Sequence, residues 1–286
     1  MKVLVANIED VFREAAARWT LIAYFCLSSI FIIIFASAVN LDVVNGALAG
    51  AKLFGKEMEV SGTLSIEKIV TGFEGGFSVV LYGLSIFLAI FATAHLVPRM
   101  QDKGTIDLYL SRPVSRLKLL FSRYLAGLLL ATSNVAYLMT AVWAIVAWKT
   151  HVVHLRFFLG GVLIVFVIAA LLAFAFLIGV ITSSTGVSIM TTYALFVFSS
   201  VLAGHARMSA AVSSSFSAYL IDTLYWIFPK TVEIGTAVFT YVIGQGAAEI
   251  AQNGALPVTA WSYLSTALFG IGCFALAAFA FKRKEF

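Results

Sequence analysis

Few residues in this chain have the types and spacing that chemistry needs, and each set points to a different reaction. Gly50-Ala51-Lys52-Leu53-Phe54-Gly55-Lys56-Glu57 has the spacing of a phosphate-binding loop up to its final position. That position needs a Ser or Thr hydroxyl for magnesium, and Glu57 sets a carboxylate where phosphate and metal must sit. No strand pattern precedes the segment and no long amphipathic helix follows it, so nucleotide binding by this chain is not expected. His151 and His154 stand at i, i+3 in a short loop and could share a metal ion. Zinc sites take at least three protein ligands, and no third lies nearby in sequence. Cys26 and Cys273 both fall in apolar runs, where cysteine behaves as a small apolar residue. H-E-x-x-H, G-x-S-x-G and paired acids within apolar segments are missing, so no hydrolase is legible.

The remaining set is basic. Residues Pro98 to Arg123 hold six of the chain's 19 Lys and Arg. Thr105 can cap a short helix whose Ile106, Leu110 and, after it, Val114 offer an apolar edge, while Asp107, Arg112 and Arg116 offer charge. Pro113 ends that turn, and Ser115 can cap the helix that follows. A loop kept basic for topology alone explains the charges. It does not require this order of turn, short helix and restart.

The elements that hold these residues are set by composition. With 61% hydrophobic residues, 12% charged and a mean hydropathy of +0.99, the chain lies far from the soluble balance of about half apolar and about a quarter charged. A helix needs about 20 mainly apolar residues to cross a hydrocarbon core of about 30 Å. Six runs meet that test: Trp19 to Val39, Phe77 to Val97, Tyr124 to Trp148, Phe157 to Ile181, Val187 to Gly204 and Trp261 to Phe281. The fold class expected is therefore all-α, a polytopic membrane helix bundle that forms one domain over 1–286. A net charge of +5 would suit nucleic acid, but the basic residues flank apolar runs and form no stripe or tail. The lipid bilayer is the partner they imply, not nucleic acid.

Those charges also orient the bundle. With a cytoplasmic N-terminus, the inner segments hold Lys2, Arg13, Arg18, Arg99, Lys103, Arg112, Arg116, Lys118, Arg123, Lys282, Arg283 and Lys284, against seven outer Lys and Arg. The positive-inside rule then puts both termini in the cytoplasm. Val5, Ile8, Phe12, Ala15 and Trp19 recur at helical spacing, so residues 1–18 read as an amphipathic interfacial helix. The outer loop from Asn40 to Gly76 is mixed, with a small hairpin expected around Val60 to Ile69. In the segment 205–260, Phe216, Tyr219, Leu220, Leu224 and Ile227 mark one apolar face and Ile234, Val238, Tyr241 and Val242 another, with Pro229 between them. Each half is too short to span, so a re-entrant outer region is expected before the last helix, with a seventh span as the competing reading. None of the six runs carries Asp, Glu, Lys or Arg, and His95 is their one histidine. No proton or sodium relay is evident, so energy for uphill movement must come from outside the bilayer.

Gly104-Thr105-Ile106-Asp107-Leu108-Tyr109-Leu110-Ser111-Arg112-Pro113-Val114-Ser115-Arg116, followed by Arg123-Tyr124-Leu125-Ala126-Gly127, resembles the cytoplasmic loop after the second helix of ABC-2 type permeases. These are the membrane subunits of ATP-binding-cassette exporters. Six spans, an N-terminal amphipathic helix and an outer re-entrant region extend the resemblance over nearly the whole chain. It implies that the 98–123 loop is a coupling loop for a separate ATPase subunit. Asp102, Gly104, Thr105, Ile106, Asp107, Leu108, Tyr109, Leu110, Ser111, Arg112, Pro113 and Arg116 would form the contact. The chain departs from the family pattern at Met100, where an acid is usual, and at Ser122-Arg123, where Gly-Lys is usual. The resemblance further implies ATP and magnesium bound by the partner ATPase and none by this chain. It implies a second permease copy or paralogue, and residence in the bacterial or archaeal plasma membrane. Cargo would pass between bundles, with Thr132, Ser133 and Asn134 as path residues. A force-transmitting or free-standing scaffold would use the same loop without a cargo path, the former with an extracytoplasmic partner; an ion-coupled carrier would need charges the runs lack.

Overall fold

The computed structural model describes Glu9, Arg13 and residues 19–44, 47–53, 56–58, 66–102, 115–211, 215–244 and 258–284. Helices dominate. They are α1 (Thr20–Ala38), α2 (Ile66–Thr93), α3 (Leu96–Met100), α4 (Arg116–Thr150), α5 (Phe157–Thr182), α6 (Thr185–Leu202), α7 (His205–Ala211), α8 (Ser215–Ile227), α9 (Thr231–Ile243) and α10 (Ala260–Arg283). Five helical segments among the described residues are long and apolar enough to cross a membrane: Val70–Met100, Arg116–Thr150, Phe157–Thr182, Thr185–Leu202 and Ala260–Arg283. The first predicted run is the apolar helix α1.

Two of the predicted runs start well inside their helices. α2 starts well before Phe77 and so takes in Glu74, which is buried, while α4 starts at Arg116 and takes in Arg123, also buried. Hydropathy stops at the first charge, but an α-helix continues as long as its backbone bonds are made. Ser115 does cap α4, its hydroxyl accepting from the Lys118 amide at 3.4 Å. α4 then runs for 35 residues until His151 turns left-handed at φ 56°.

Between α1 and α2 lies a small antiparallel sheet of three strands, β1 (Val39–Val44), β2 (Ala47–Leu53) and β3 (Lys56–Met58), in the order β1-β2-β3. The register slips between Asp42 and Val43. Part of the hairpin expected around Val60 to Ile69 lies outside the described residues, and Ile66 to Ile69 are already in α2. The described residues of the near-miss phosphate loop, 50–53 and 56–57, belong to β2 and β3, with Lys52 opposite Glu57. Of the leader, Glu9 and Arg13 are helical and exposed and form an i, i+4 ion pair at 2.6 Å.

One core joins α2, α4, α5 and α9 through Leu81, Ile86, Leu138, Met139, Ile164 and Val238. Gly160 makes this possible: a Cβ there would meet Val238 Cγ1 at 3.1 Å, so α9 lies directly on α5. A second cluster closes the end of the bundle where α3 meets α5 and α10, through Leu96, Met100, Leu120, Phe176 and Phe281. Many large side chains outside these clusters are exposed and apolar, among them Ile33, Val162, Met190 and Ile271. That is the surface a helix bundle presents to lipid.

Candidate functional site

The helices run back and forth between two ends. Residues Gln101, Arg116, Ser183 and Lys284 share one, called here the loop end; Glu74, Lys149, His154 and Thr259 belong to the other, the far end. Gly104, Thr105, Ile106, Asp107, Leu108, Tyr109, Leu110, Ser111, Arg112 and Pro113, predicted as the ATPase contact, lie outside the described residues. Both roots of that segment are described, Asp102 before it and Arg116 after it.

At the loop end the roots enter one hydrogen-bond network. Gln101 Nε2 donates to the Gly179 carbonyl at 2.9 Å, and its Oε1 accepts from Ser183 Oγ at 3.0 Å and from Lys284 Nζ at 2.6 Å. Lys284 Nζ also donates to the Val180 carbonyl at 2.7 Å and to Ser183 Oγ at 2.6 Å. Arg116 closes the circle by donating to the Lys284 carbonyl at 2.7 Å and the Lys282 carbonyl at 3.3 Å. Ser183 is the left-handed cap of α5, so the network sits where that helix leaves carbonyls without intrahelical partners and where a cation is favoured. Gly179 lets α3 approach: a Cβ there would meet Pro98 Cδ at 3.1 Å and Ser188 Oγ at 3.2 Å. Burial holds the Lys284 ammonium below the usual lysine range.

Deeper in the bundle, the predicted path residues have partners. Asn134 is buried and exchanges hydrogen bonds with Ser28 of α1, at 3.0 and 2.9 Å. Ser133 is exposed and bonds the Leu130 carbonyl, and Thr132 bonds the Leu128 carbonyl. Tyr137 meets Ser29 at 2.9 Å, one turn from Ser133. Asn134 thus fastens α4 to α1, while Ser133 and Tyr137 stand on the open side of α4.

Toward the far end, α8 and α9 form the broken pair that Pro229 predicted. The two halves differ: on α9 Ile234, Val238 and Val242 are buried, whereas on α8 Phe216, Tyr219, Leu220 and Ile227 are exposed. Tyr241 of the predicted α9 face is exposed as well. The break exposes backbone groups, and side chains from three helices meet them. Tyr82 of α2 donates to the Thr231 carbonyl at 2.6 Å, Ser199 of α6 donates to the Pro229 carbonyl, and Thr266 of α10 accepts from the Lys230 amide at 3.0 Å. Broken helix within a membrane protein is tolerated only with such internal partners.

Two buried charges complete the break. Lys230 Nζ donates to the Tyr225 and Phe228 carbonyls at the C-terminal end of α8, and lies 3.6 Å from the Tyr225 ring centroid. Glu233, in the first turn of α9, accepts from the Tyr225 and Ser262 hydroxyls. A cation at one helix end and an anion at the next helix start both match the backbone dipoles. Burial lowers Lys230 to about 8, with Glu233 pulling the other way. A cavity of about 10 Å³ lies beside the pair, lined by Ser199, Leu202, Tyr225, Pro229, Lys230 and Glu233. That is room for a single water at most.

The two histidines do not act together. His154 Nδ1 meets Glu74 Oε2 at 2.6 Å, and His151 is the cap of α4. Spacing had no means of finding the Glu74 pairing, since the partners lie 80 residues apart.

A family model described as an ABC-2 family transporter protein matches residues 11–286. The chain belongs to the ABC-2 transporter family. It is the membrane permease subunit of an ABC transporter, a non-catalytic chain that works with an ABC ATPase subunit. No curated protein matches the permease.

Proposed function

We propose that the permease couples ATP hydrolysis by its separate ATPase subunit to export of an amphipathic cargo, and that the 98–123 loop is where the ATPase docks. Its six apolar helices, α1 included, cross a plasma membrane with the loop end and both termini in the cytoplasm. The leader lies at the inner interface, and α8 with α9 forms the outer re-entrant pair. The loop offers Thr105 to Arg112 as the main contact, with Asp102, Pro113 and Arg116 beside it. A second copy of the chain completes the path, and Ser133 and Thr132 face it more readily than Asn134, whose amide is engaged by Ser28. What supports this reading is the family match over 11–286, together with both roots of the loop standing on one basic end of the bundle.

The test is co-purification of the full chain with its ATPase from lipid nanodiscs. Charge reversal at Arg112 and Arg116 is expected to lower assembly and the ATPase stimulation that the permease gives. Unchanged assembly and stimulation after replacing the whole 103–114 segment with a Gly-Ser linker would sink the reading.

A further inference from the structure

A loop that receives force must pass it to helices that do not belong to the loop. The loop-end network has the parts for this, and most of them converge on one side chain. An ammonium carries three N–H donors, and Lys284 spends them on Gln101 Oε1, the Val180 carbonyl and Ser183 Oγ at 2.6, 2.7 and 2.6 Å. Its own carbonyl takes the Arg116 guanidinium at 2.7 Å. Four separate pieces of chain therefore meet at Lys284: the end of α3 before the loop, the start of α4 after it, the α5–α6 turn, and the end of α10. Charged hydrogen bonds are roughly twice as strong as neutral ones and hold tighter geometry.

We infer that Lys284 is a positioning residue for energy coupling, the pin through which displacement of the two loop roots moves α5, α6 and α10 together. This rests on the docking reading above. The C-terminal end of the chain is then part of the transmission and not a topological tail. Without the pin, Gln101 still bonds Gly179 and Ser183, and Arg116 still bonds the Lys282 and Lys284 carbonyls, but α10 loses its tie to Gln101 and to the α5–α6 turn. The ATPase can still dock and hydrolyse, and the movement is lost between the loop end and the far end.

The experiment uses the full chain with its ATPase in nanodiscs, with Cys26 and Cys273 replaced by Ala and spin labels at two exposed far-end positions, W148C and W261C. The unaltered pair is expected to change its distance distribution on trapping with ATP and vanadate. With Lys284→Met, co-purification and ATP hydrolysis persist while the trapped population falls about fivefold or more, the size of an ordinary coupling free energy. Ser183→Ala removes one acceptor at an exposed position and is expected to give a smaller fall in the same direction; Lys284→Arg keeps the charge but not the three-acceptor geometry, and recovers only part. An unchanged distance response in both Lys284→Met and Ser183→Ala overturns the inference and leaves the docking reading standing. Loss of ATPase co-purification with Lys284→Met assigns the lysine to docking and also overturns it. No nucleotide-driven change in the unaltered complex brings down both.

Discussion

The two ends of the bundle each fix irregular backbone with a lysine, and they do it differently. Lys230 is 4% exposed and bonds carbonyls of its own hairpin, within five residues of itself. Lys284 reaches partners 101, 104 and 183 residues away. The first arrangement makes a local plug that holds its own shape. The second makes a joint that ties the end of α10 to the end of α3 and to the α5–α6 turn. Removing a local plug should cost stability, whereas removing a joint should cost communication and little stability.

The strongest way to break that contrast is at the plug. Glu233→Leu leaves the Lys230 ammonium buried without its nearby carboxylate and is expected to destabilise the folded chain by about 3–5 kcal/mol. Lys230→Met should act similarly, and the double substitution should cost less than the two singles together; thermal unfolding in detergent, followed by tryptophan fluorescence, reads all three. An additive double variant would mean that the charges do not support each other. Next in size is Tyr82→Phe, which leaves the Thr231 carbonyl without its donor from α2; a loss of about 1–3 kcal/mol is expected in the same assay. At the joint, Gln101→Leu should lower stability by only about 0.5–1.5 kcal/mol, while lowering the far-end distance change on nucleotide trapping by far more than its thermal shift implies. An equal loss in both would erase the distinction between plug and joint.

The smallest effect expected is a pH dependence. Burial lowers Lys230 to about 8. Below that value the folded and unfolded chains both hold the proton. Between about 8 and the ordinary lysine value only the unfolded chain does. Stability should therefore rise as pH rises through that window, and the rise should shrink in Lys230→Met. A melting temperature that falls over the same interval in the unaltered chain, and falls equally in the variant, would place the dependence elsewhere.

Much of the fold is legible in the apolar runs, because crossing a bilayer demands length and hydropathy that no other signal imitates. The break at Pro229 is legible for a similar reason, since proline removes a backbone donor wherever it stands. The different fates of α8 and α9 are not. Both halves are amphipathic, and α9 is the one that lies against glycines: Gly160 beside Val238, Gly75 beside Ile243, and its own Gly235 beside Tyr82. The pairs that define the sites are equally silent in sequence: Asn134 with Ser28, His154 with Glu74, and Lys284 with Gln101 are single contacts across long separations. Hydropathy also read Glu74 and Arg123 as loop residues, although each is buried in a helix that continues past the apolar run.

Helix α4 has a mechanical property of its own. At about 1.5 Å per residue its 35 residues make a rod of about 50 Å, well beyond the roughly 30 Å of hydrocarbon it has to cross. Its first residue is bonded at the loop end and Lys149, near its last, donates to the Ala36 carbonyl of α1. The Asn134–Ser28 bond holds it near the middle. A beam held at a fulcrum and loaded at one tip swings at the other: a tilt of about 5° would displace each tip by about 2 Å, comparable to the helix shifts that switch subunit interfaces.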